Sequence, residues 1–203
     1  MSQLKELLVD QLRDLLHAEN QLVGALPEMT EAAHHPKLKE AFEKHLMQTE
    51  GHVERLRSAL ELLGEGAEPK PCKAMMGLVE EGKETIEEGV EKDDLAADLA
   101  LIAAAQRVEH YEISAYGTAK CLARQIGEID CARLLSHTLG EEEAADFLLS
   151  TISQPLLQQA ALDDAGASTN LDSVGGNSEK RSGTNGKKAT RSAKNAEEAI
   201  SRR

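Results

Sequence analysis

Polar side chains interrupt the apolar faces of several helical segments in this sequence. In the first segment, Glu19 stands in line with Leu12, Leu15 and Leu22, which recur at the spacing of one helix face. The residues that interrupt such faces along the chain are Glu19, His45, Thr49, His52, Gln106, Glu109, Glu112, Tyr116, Glu142 and Asp146. Carboxylate oxygens and imidazole nitrogens bind transition-metal ions, so these residue types point to metal chemistry.

If the helical segments pair as hairpins, these residues lie at the same height along the axis of the resulting bundle. Glu19 precedes the first turn by about as many residues as residues 49–52 follow it. Residues 109–112 precede the break at Gly127 by about as many residues as Glu142 follows it. The polar groups of each hairpin therefore meet near the middle of its helices.

A metal centre would explain this arrangement. A buried carboxylate costs on the order of several kcal/mol unless it is paired, coordinated or protonated. No Lys or Arg stands on these faces at mid-length, so several carboxylates would repel one another there without a cation. Oxygen-rich ligation with imidazole and no thiolate suits Fe or Mn better than Zn or Cu(I). The predicted ligands of one or two ions are Glu19, His52, Glu109, Glu112, Glu142 and Asp146.

A purely structural interpretation competes with the metal centre at each position taken alone. A single Glu on a helix face is most often at the edge of the core with its carboxylate in water. His45 and His52 are equally typical of core-edge histidines, and residues 141–143 are typical of a solvated acidic run. The coincidence of level across four helices is what favours a metal.

Four long helices must position these residues. Apolar periodicity predicts helices over residues 2–33, 36–64, from 94 to the break at Gly127, and 129–159, with a shorter helix over 75–90. The first and last pairs of long helices are joined by short turns, whereas about thirty residues separate the second from the third. Two hairpins joined by one long crossover are the ferritin-like arrangement. We predict an all-α, ferritin-like four-helix bundle whose crossover contains the extra short helix.

Composition agrees with a helical bundle and excludes several classes of function. Hydrophobic residues make up 40% of the 203 residues but aromatic residues only 2%, which suits packed helices better than strands. The net charge of -13 disfavours binding of the folded part to nucleic acid or anionic lipid. We expect no membrane span and no secretory signal, and hence a cytoplasmic protein. Phosphate-binding loops and nucleophile elbows are absent, which disfavours nucleotide or classical hydrolase chemistry.

The last forty residues have a different composition. Residues 1–162 carry the helical pattern, whereas residues 163–203 are rich in Ser, Asn, Gly, Lys and Arg and are predicted to be a disordered basic tail. Such a tail could contact nucleic acid by neutralising phosphates, although a solvated extension is the more common case. The alternative function is therefore a non-enzymatic scaffold or interaction protein with a vestigial metal site.

Several segments resemble one bacterial family. They are residues 18–21, residues 49–56, the run Val108-Glu-His-Tyr-Glu112 with its surroundings from Ala103 to Thr118, and residues 138–143. Over about residues 3–160 they resemble the YciE/YciF family of ferritin-like stress proteins. The resemblance implies a ferritin-like bundle, usually a homodimer, related in fold to rubrerythrin, bacterioferritin and manganese catalase.

The resemblance to di-metal ferritin-like sites is incomplete. That pattern takes one Glu from each of two helices and Glu-x-x-His from each of the other two. Glu19 fits the first helix and Glu109-x-x-Glu112 resembles the third-helix doublet of rubrerythrin, but Thr49 stands where a Glu is expected, three residues before His52. On the fourth helix Glu142 fits, whereas Ala145 replaces the His and is followed by Asp146.

Three outcomes follow from this departure. The site is rebuilt with Asp146, His45 or Glu50, or it binds one ion, or it is vestigial. If it is active, we expect ferroxidase-like or peroxidase-like redox handling of peroxide, oxygen or iron. Tyr116 is then expected to act as a catalytic residue that donates a hydrogen bond or an electron beside the metal.

Overall fold

The fold was examined in a computed structural model, which describes residues 2–174 and the side chains as far as residue 165. The described residues form five helices and no strand. The helices are α1 (Gln3–Ala32), α2 (Pro36–Leu62), α3 (Lys73–Gly89), α4 (Asp94–Gln125) and α5 (Ile129–Val174). No helix within this part of the chain has both the length and the apolar character needed to cross a membrane.

Side-chain caps mark where two of the long helices begin. The hydroxyl of Ser2 accepts a hydrogen bond from the amide of Lys5 at 3.3 Å, and the carboxylate of Asp93 accepts one from the amide of Ala96 at 2.9 Å. Each bond satisfies one of the free amides at a helix N-terminus. The predicted start of the third long helix, at Asp93 or Asp94, is confirmed.

Two glycines end the helices that precede the crossover and the last turn. Gly64 and Gly127 have φ values of 74° and 83°, a left-handed conformation that other residues rarely adopt. The amide after each glycine, in Glu65 and Glu128, donates to a carbonyl five residues earlier at 3.0 and 2.9 Å. This is the geometry that closes a helix C-terminus and turns the chain away.

The chain connects the long helices as two hairpins and one crossover. Residues 33–35 join α1 to α2 and residues 126–128 join α4 to α5, whereas α3 lies within the long connection between α2 and α4. Helix α1 packs against α2, α4 and α3, and α3 also packs against α4. The predicted fold, a ferritin-like four-helix bundle with an extra short helix in its crossover, is confirmed.

A buried aspartate holds the first turn. The side chain of Asp98 on α4 is 2% exposed, and its two carboxylate oxygens accept the backbone amides of His34 and His35 at 2.8 and 2.7 Å. These bonds tie the turn between α1 and α2 to the second hairpin and satisfy amides that helix geometry leaves free.

The apolar core is divided into two clusters along the bundle. One contains the buried apolar residues between Leu8 and Leu16, between Val53 and Leu63, between Tyr116 and Ala123, and between Cys131 and Leu139. The other contains residues from the opposite ends of the same helices, among them Leu26, Phe42, Ile102 and Leu149. The buried carboxylates and imidazoles lie between the two clusters, at the level that the sequence predicted.

Helix α5 is longer than predicted. Its pattern indicated an end near Gln159, but the helix continues to Val174. Alanines and Leu162 favour helix in the first part of this continuation. The described residues as far as Ala165 belong to one compact unit. The remainder of the predicted tail, residues 175–203, lies outside the described residues.

Candidate metal centre

Four glutamates from three helices are buried at mid-bundle. Glu19 of α1, Glu112 of α4 and Glu142 of α5 are 0% exposed, and Glu109 of α4 is 3% exposed. Helical periodicity places each of them on the face that its neighbouring leucines and alanines turn inward. Carboxylates are almost never buried to this degree without a partner, so their surroundings decide what the site can do.

One group of possible ligands surrounds His45. Atoms of His45, Glu109, Glu112 and Glu142 all lie within 4.8 Å of one another. His45 Nε2 is 3.3 Å from Glu109 Oε1 and 3.7 Å from Glu142 Oε2. Three carboxylates and one imidazole are a donor set suited to a single Fe or Mn ion.

A second group shares one carboxylate with the first. It comprises Glu19, His52 and Glu142. His52 Nδ1 lies 2.8 Å from Glu142 Oε1 and 3.4 Å from Glu19 Oε1. Since Glu142 belongs to both groups and offers a different oxygen to each histidine, the geometry is that of a carboxylate able to bridge two ions.

Many of the polar atoms in both groups have no hydrogen-bond partner, although oppositely charged atoms lie nearby. The atoms without one are Glu19 Oε2, both nitrogens of His45, His52 Nδ1, Glu109 Oε2, and both carboxylate oxygens of Glu112 and of Glu142. An unpartnered buried polar atom costs on the order of 1–3 kcal/mol and is rare in native proteins. Their convergence on one space is what a metal site with its ions removed would show.

Burial and mutual repulsion alter the protonation of the carboxylates. Burial raises the pKa of Glu109 and of Glu112 well above 4.5, and the nearby charges of Glu142 and Glu19 raise both further. Burial also raises the pKa of Glu19, although the adjacent His52 partly offsets the effect. Without a cation, the site therefore tends to take up protons.

The surroundings shift the pKa values of the two histidines in opposite directions. Burial, followed by the nearby charge of His52, lowers the pKa of His45 to about 4, so at neutral pH its ring is uncharged and one of its nitrogens has an electron pair for a metal ion. Burial lowers the pKa of His52 as well, but the adjacent carboxylates of Glu142 and Glu19 outweigh it and bring the pKa to about 10. In the metal-free protein His52 thus holds a proton where a cation would otherwise sit.

A second layer of contacts orients His52. Its Nε2 is 3.1 Å from Glu141 Oε2, leaving Nδ1 turned towards Glu19 and Glu142. Glu141 in turn accepts a hydrogen bond from Arg55, whose Nε donates to Thr138 Oγ1 at 2.9 Å. The nearby charge of Arg55 lowers the pKa of Glu141 despite its partial burial. A carboxylate on the outer nitrogen of a metal-binding histidine fixes the ring and its tautomer.

Tyr116 contacts the centre from α4. Its side chain is fully buried, and its hydroxyl donates to Glu19 Oε1. Burial and the neighbouring carboxylates raise its pKa well above 10, so the phenol keeps its proton. The residue predicted as a catalytic donor therefore touches one of the candidate ligands directly.

Of the predicted ligands, Glu19, His52, Glu109, Glu112 and Glu142 come together, and Asp146 does not. Asp146 is one turn beyond Glu142, and its Oδ1 lies 2.9 Å from Gln106 Nε2 and 3.3 Å from His110 Nε2. Thr49 donates to the backbone of its own helix at His45, at 2.9 Å, and Glu50 is exposed. Of the three substitutes that the sequence offered, Asp146 and Glu50 lie outside both ligand groups, whereas His45 belongs to one of them.

The sequence prediction underrated His45. It named this residue only as one replacement among several, whereas the structure places it at the centre of the four-residue group. The signal was present in the spacing, since His45 and His52 are seven residues apart and so face the same side two turns apart. Glu141 was also missed, because residues 141–143 have the pattern of a solvated acidic run, of which only Glu143 is exposed in the structure.

Comparisons with known proteins agree with this fold. A family model described as Domain of unknown function (DUF892) matches residues 3–162. Protein YciF of Escherichia coli (strain K12) is 42% identical over 154 residues, which are 75% of this chain and 92% of that protein.

Solved structures give the same result. The crystal structure of the E. coli stress protein YciF matches with a TM-score of 0.74 at 39% identity, covering 78% of this chain and 99% of the other. YcfI from Rhodopseudomonas palustris matches with a TM-score of 0.69 at 38% identity, covering 74% and 95%. A protein from Xanthomonas campestris, with a TM-score of 0.63 at 21% identity over 80% and 99%, shows the fold alone. The resemblance predicted from the sequence is confirmed, and the chain belongs to the YciE/YciF family, whose matching model is described as Domain of unknown function (DUF892).

Proposed function

We propose that this protein binds a pair of Fe or Mn ions in its bundle and uses them in the redox handling of peroxide, oxygen or iron. The first ion would be held by His45, Glu109 and Glu112, the second by Glu19 and His52, with Glu142 between them. A bound Fe or Mn pair would supply electron-transfer chemistry that amino-acid side chains alone do not.

The unpartnered buried atoms carry this proposal. Polar atoms in a protein interior are nearly always hydrogen-bonded, and here the exceptions are concentrated on six candidate ligand residues rather than scattered. No Lys or Arg neutralises Glu109, Glu112 or Glu142 among the ion pairs of the described residues. Cations in the centre would give each of these six side chains a partner at once.

The protein's own residues would hold and orient the ions. Glu141 and Arg55 keep His52 turned inward, and Tyr116 holds Glu19 by its hydroxyl hydrogen bond. The two apolar clusters on either side give the centre surroundings of low polarity, which strengthens the attraction between the carboxylates and a cation.

The cellular setting belongs to the same proposal. The similar E. coli protein is named a stress protein, and we propose a stress-associated role in the cytoplasm for this chain as well. We further propose that it acts as a homodimer, in keeping with the family resemblance.

Anaerobic reconstitution tests the function. The purified chain is loaded with Fe(II) or Mn(II), desalted, and its metal content measured. We expect the wild type to retain Fe or Mn and Glu112→Gln to lose most of it. The control is Glu143→Gln, which makes the same change at an exposed position of α5 and should lose no metal. Retention of less than about a tenth of an equivalent by the wild type would reject the proposal, since structural and catalytic sites bind their ions tightly.

The basic residues of the tail support a second candidate function. Lys180, Arg181, Lys187 and Lys188 belong to a segment whose charge is opposite to that of the rest of the chain. A non-enzymatic interaction protein would bind DNA through this tail, with strong salt dependence. Deleting residues 163–203 separates the two functions, because metal binding should survive the deletion and DNA binding should not.

A further inference from the structure

A cavity of about 60 Å³ reaches the metal centre from one side. It is lined by residues of α1, α2, α4 and α5, and both His45 and Glu109 form part of its wall. These two residues belong to the four-residue ligand group, and His45 Nε2 is 3.3 Å from Glu109 Oε1. A molecule in the cavity would therefore lie next to candidate metal ligands.

Most of the inner wall is apolar. Leu22, Leu26, Met29, Phe42 and Leu149 all line the cavity, and all are buried. Such a surface offers no hydrogen bonds, so a polar molecule entering it would lose its bonds to water without replacement. Apolar protein cavities stay dry and take up apolar molecules such as xenon or benzene.

The same cavity is also bounded by residues at the protein surface. Lys44 of α2 and Ala144 and Leu148 of α5 belong to its lining and are exposed. The lining thus passes from the surface between α2 and α5 to the buried His45 and Glu109. The cavity is a connection between solvent and the centre rather than a closed void.

The size limits what can occupy it. A single water needs roughly 10–15 Å³ measured in the same way, so this space holds only a few small molecules. An organic cofactor or a peptide would not fit, whereas a diatomic gas would.

We propose that the cavity is a binding site and entry route for dioxygen at the His45 and Glu109 side of the centre. This inference rests on the proposed function, because it selects dioxygen over the more polar peroxide as the molecule that arrives there. Lys44, Gln48 and Glu141 also belong to the lining. The buried stretch formed by Leu22, Leu26, Met29, Phe42 and Leu149 nevertheless offers no partner to the two hydroxyl groups of peroxide, whereas dioxygen makes no hydrogen bonds that it must give up.

Xenon is the probe for the cavity, since it is apolar, similar in size and visible in crystals. Crystals of the metal-free full-length chain are pressurised with xenon, and the same is done for Ala145→Leu, which enlarges a side chain in the cavity wall on α5. Ala161→Leu is the matched control, because it makes the same change at an exposed position of the same helix. Ala105→Leu, from the α4 wall, provides a second blocked variant in case the first does not fold.

We expect a xenon site between Leu22, Phe42 and Leu149 in the wild type and in Ala161→Leu. We expect no xenon there in Ala145→Leu or in Ala105→Leu. Ordered water in place of xenon, or xenon unaffected by both blocking substitutions, would overturn the proposal. Because the crystals contain no metal, this result is independent of metal retention. Xenon binding in a chain that retains no Fe or Mn would reject the proposed function and leave the cavity as an apolar site.

A kinetic comparison tests the choice of dioxygen. The wild type and Ala145→Leu are loaded with Fe(II). The rate at which the bound Fe(II) is oxidised is measured once with dissolved dioxygen and once, under anaerobic conditions, with added peroxide. We expect the substitution to slow the reaction with dioxygen more than that with peroxide. Equal slowing, or slowing with peroxide alone, would contradict the selection of dioxygen.

Discussion

Glu142 Oε1 lies 2.8 Å from His52 Nδ1, and the other oxygen of the same carboxylate lies 3.7 Å from His45 Nε2. One side chain of α5 therefore faces two histidines of α2, one with each oxygen. Since the two histidines belong to different ligand groups, Glu142 is the residue on which both groups depend.

This position predicts that Glu142→Gln has a greater effect than any other ligand substitution. The amide removes the negative charge shared by both groups, so metal should be lost from both, whereas His52→Ala should affect only the group that contains Glu19. Metal equivalents after reconstitution measure the difference. Comparable metal content in the two variants would show that Glu142 does not bridge.

The contact between Glu141 and His52 predicts an effect from outside the ligand set. Removing the carboxylate that orients a metal-binding histidine typically weakens metal affinity by roughly 10- to 100-fold, so we expect a loss of that size in Glu141→Gln. Competition against a chelator gives the affinity. Glu143→Gln is the control, because its carboxylate is exposed and makes no contact with the site. An unchanged affinity in Glu141→Gln would mean that packing alone orients the imidazole.

The raised pKa values predict how stability varies with pH. His52 has a pKa of about 10 in the folded chain against 6.5 for a free histidine, so its stabilising contribution is complete below pH 6.5 and is lost as the pH rises towards 10. Glu109 and Glu112 act in the same direction, because their folded pKa values also lie above the ordinary one of 4.5. His45 acts in the opposite direction, because its folded pKa of about 4 lies below the ordinary 6.5, so its contribution to stability is lost as the pH drops from 6.5 towards 4; at higher pH it is mostly neutral in both states.

We therefore expect the Tm of the metal-free protein to fall as the pH rises from about 6.5 to 10, the window between the two His52 values. Metal binding displaces these protons, so metal affinity and the Tm difference between loaded and metal-free protein should rise over the same range. Thermal unfolding followed by circular dichroism measures both. A metal-free Tm that rises with pH would contradict the protonated state of the centre.

The hydrogen bond from Tyr116 to Glu19 predicts the effect of removing one hydroxyl. In Tyr116→Phe a buried carboxylate loses its donor, which typically lowers the free energy of unfolding by about 1.5–3 kcal/mol. Urea unfolding of the metal-free protein measures the change. Bound metal should reduce the difference in the free energy of unfolding, because Glu19 then has a cation as partner. An equal loss in the metal-free and metal-bound proteins would show that Tyr116 does not act on the metal centre.

Asp98 provides a structural contrast to the metal ligands. Its two oxygens hold the amides of His34 and His35, so Asp98→Ala should lower the free energy of unfolding by about 1–3 kcal/mol for the unsatisfied groups it leaves. The metal content of the folded variant should stay at the wild-type value, because Asp98 lies near the first turn and outside both ligand groups. If Asp98→Ala lost metal but kept its stability, Asp98 would be a part of the metal centre and the prediction would be wrong.

Much of the fold could be predicted because it depends on local pattern. The apolar period of α1 and α4, the cap at Asp93 and the breaks at Gly64 and Gly127 all act within a few residues of where they stand. Loop lengths then decide which helices pair, since a three-residue connection leaves no choice but an antiparallel neighbour. The continuation of α5 to Val174 was missed because helix propensity there acts without an apolar face to reveal it.

The residue pattern alone indicates that acidic and imidazole side chains stand on inward faces at one level of a helical bundle. The packing of the helices selects which of them meet. Glu142 enters the centre and Asp146, one turn on, bonds to Gln106, while His45 enters and Thr49 bonds to its own helix. This selection is rotational, because residues four apart on an α-helix differ in direction by about 40°. In a sequence pattern, two residues that differ by this angle still count as members of one apolar face. In the packed interior, the same angle is enough for one of them to reach the metal centre and the other to miss it.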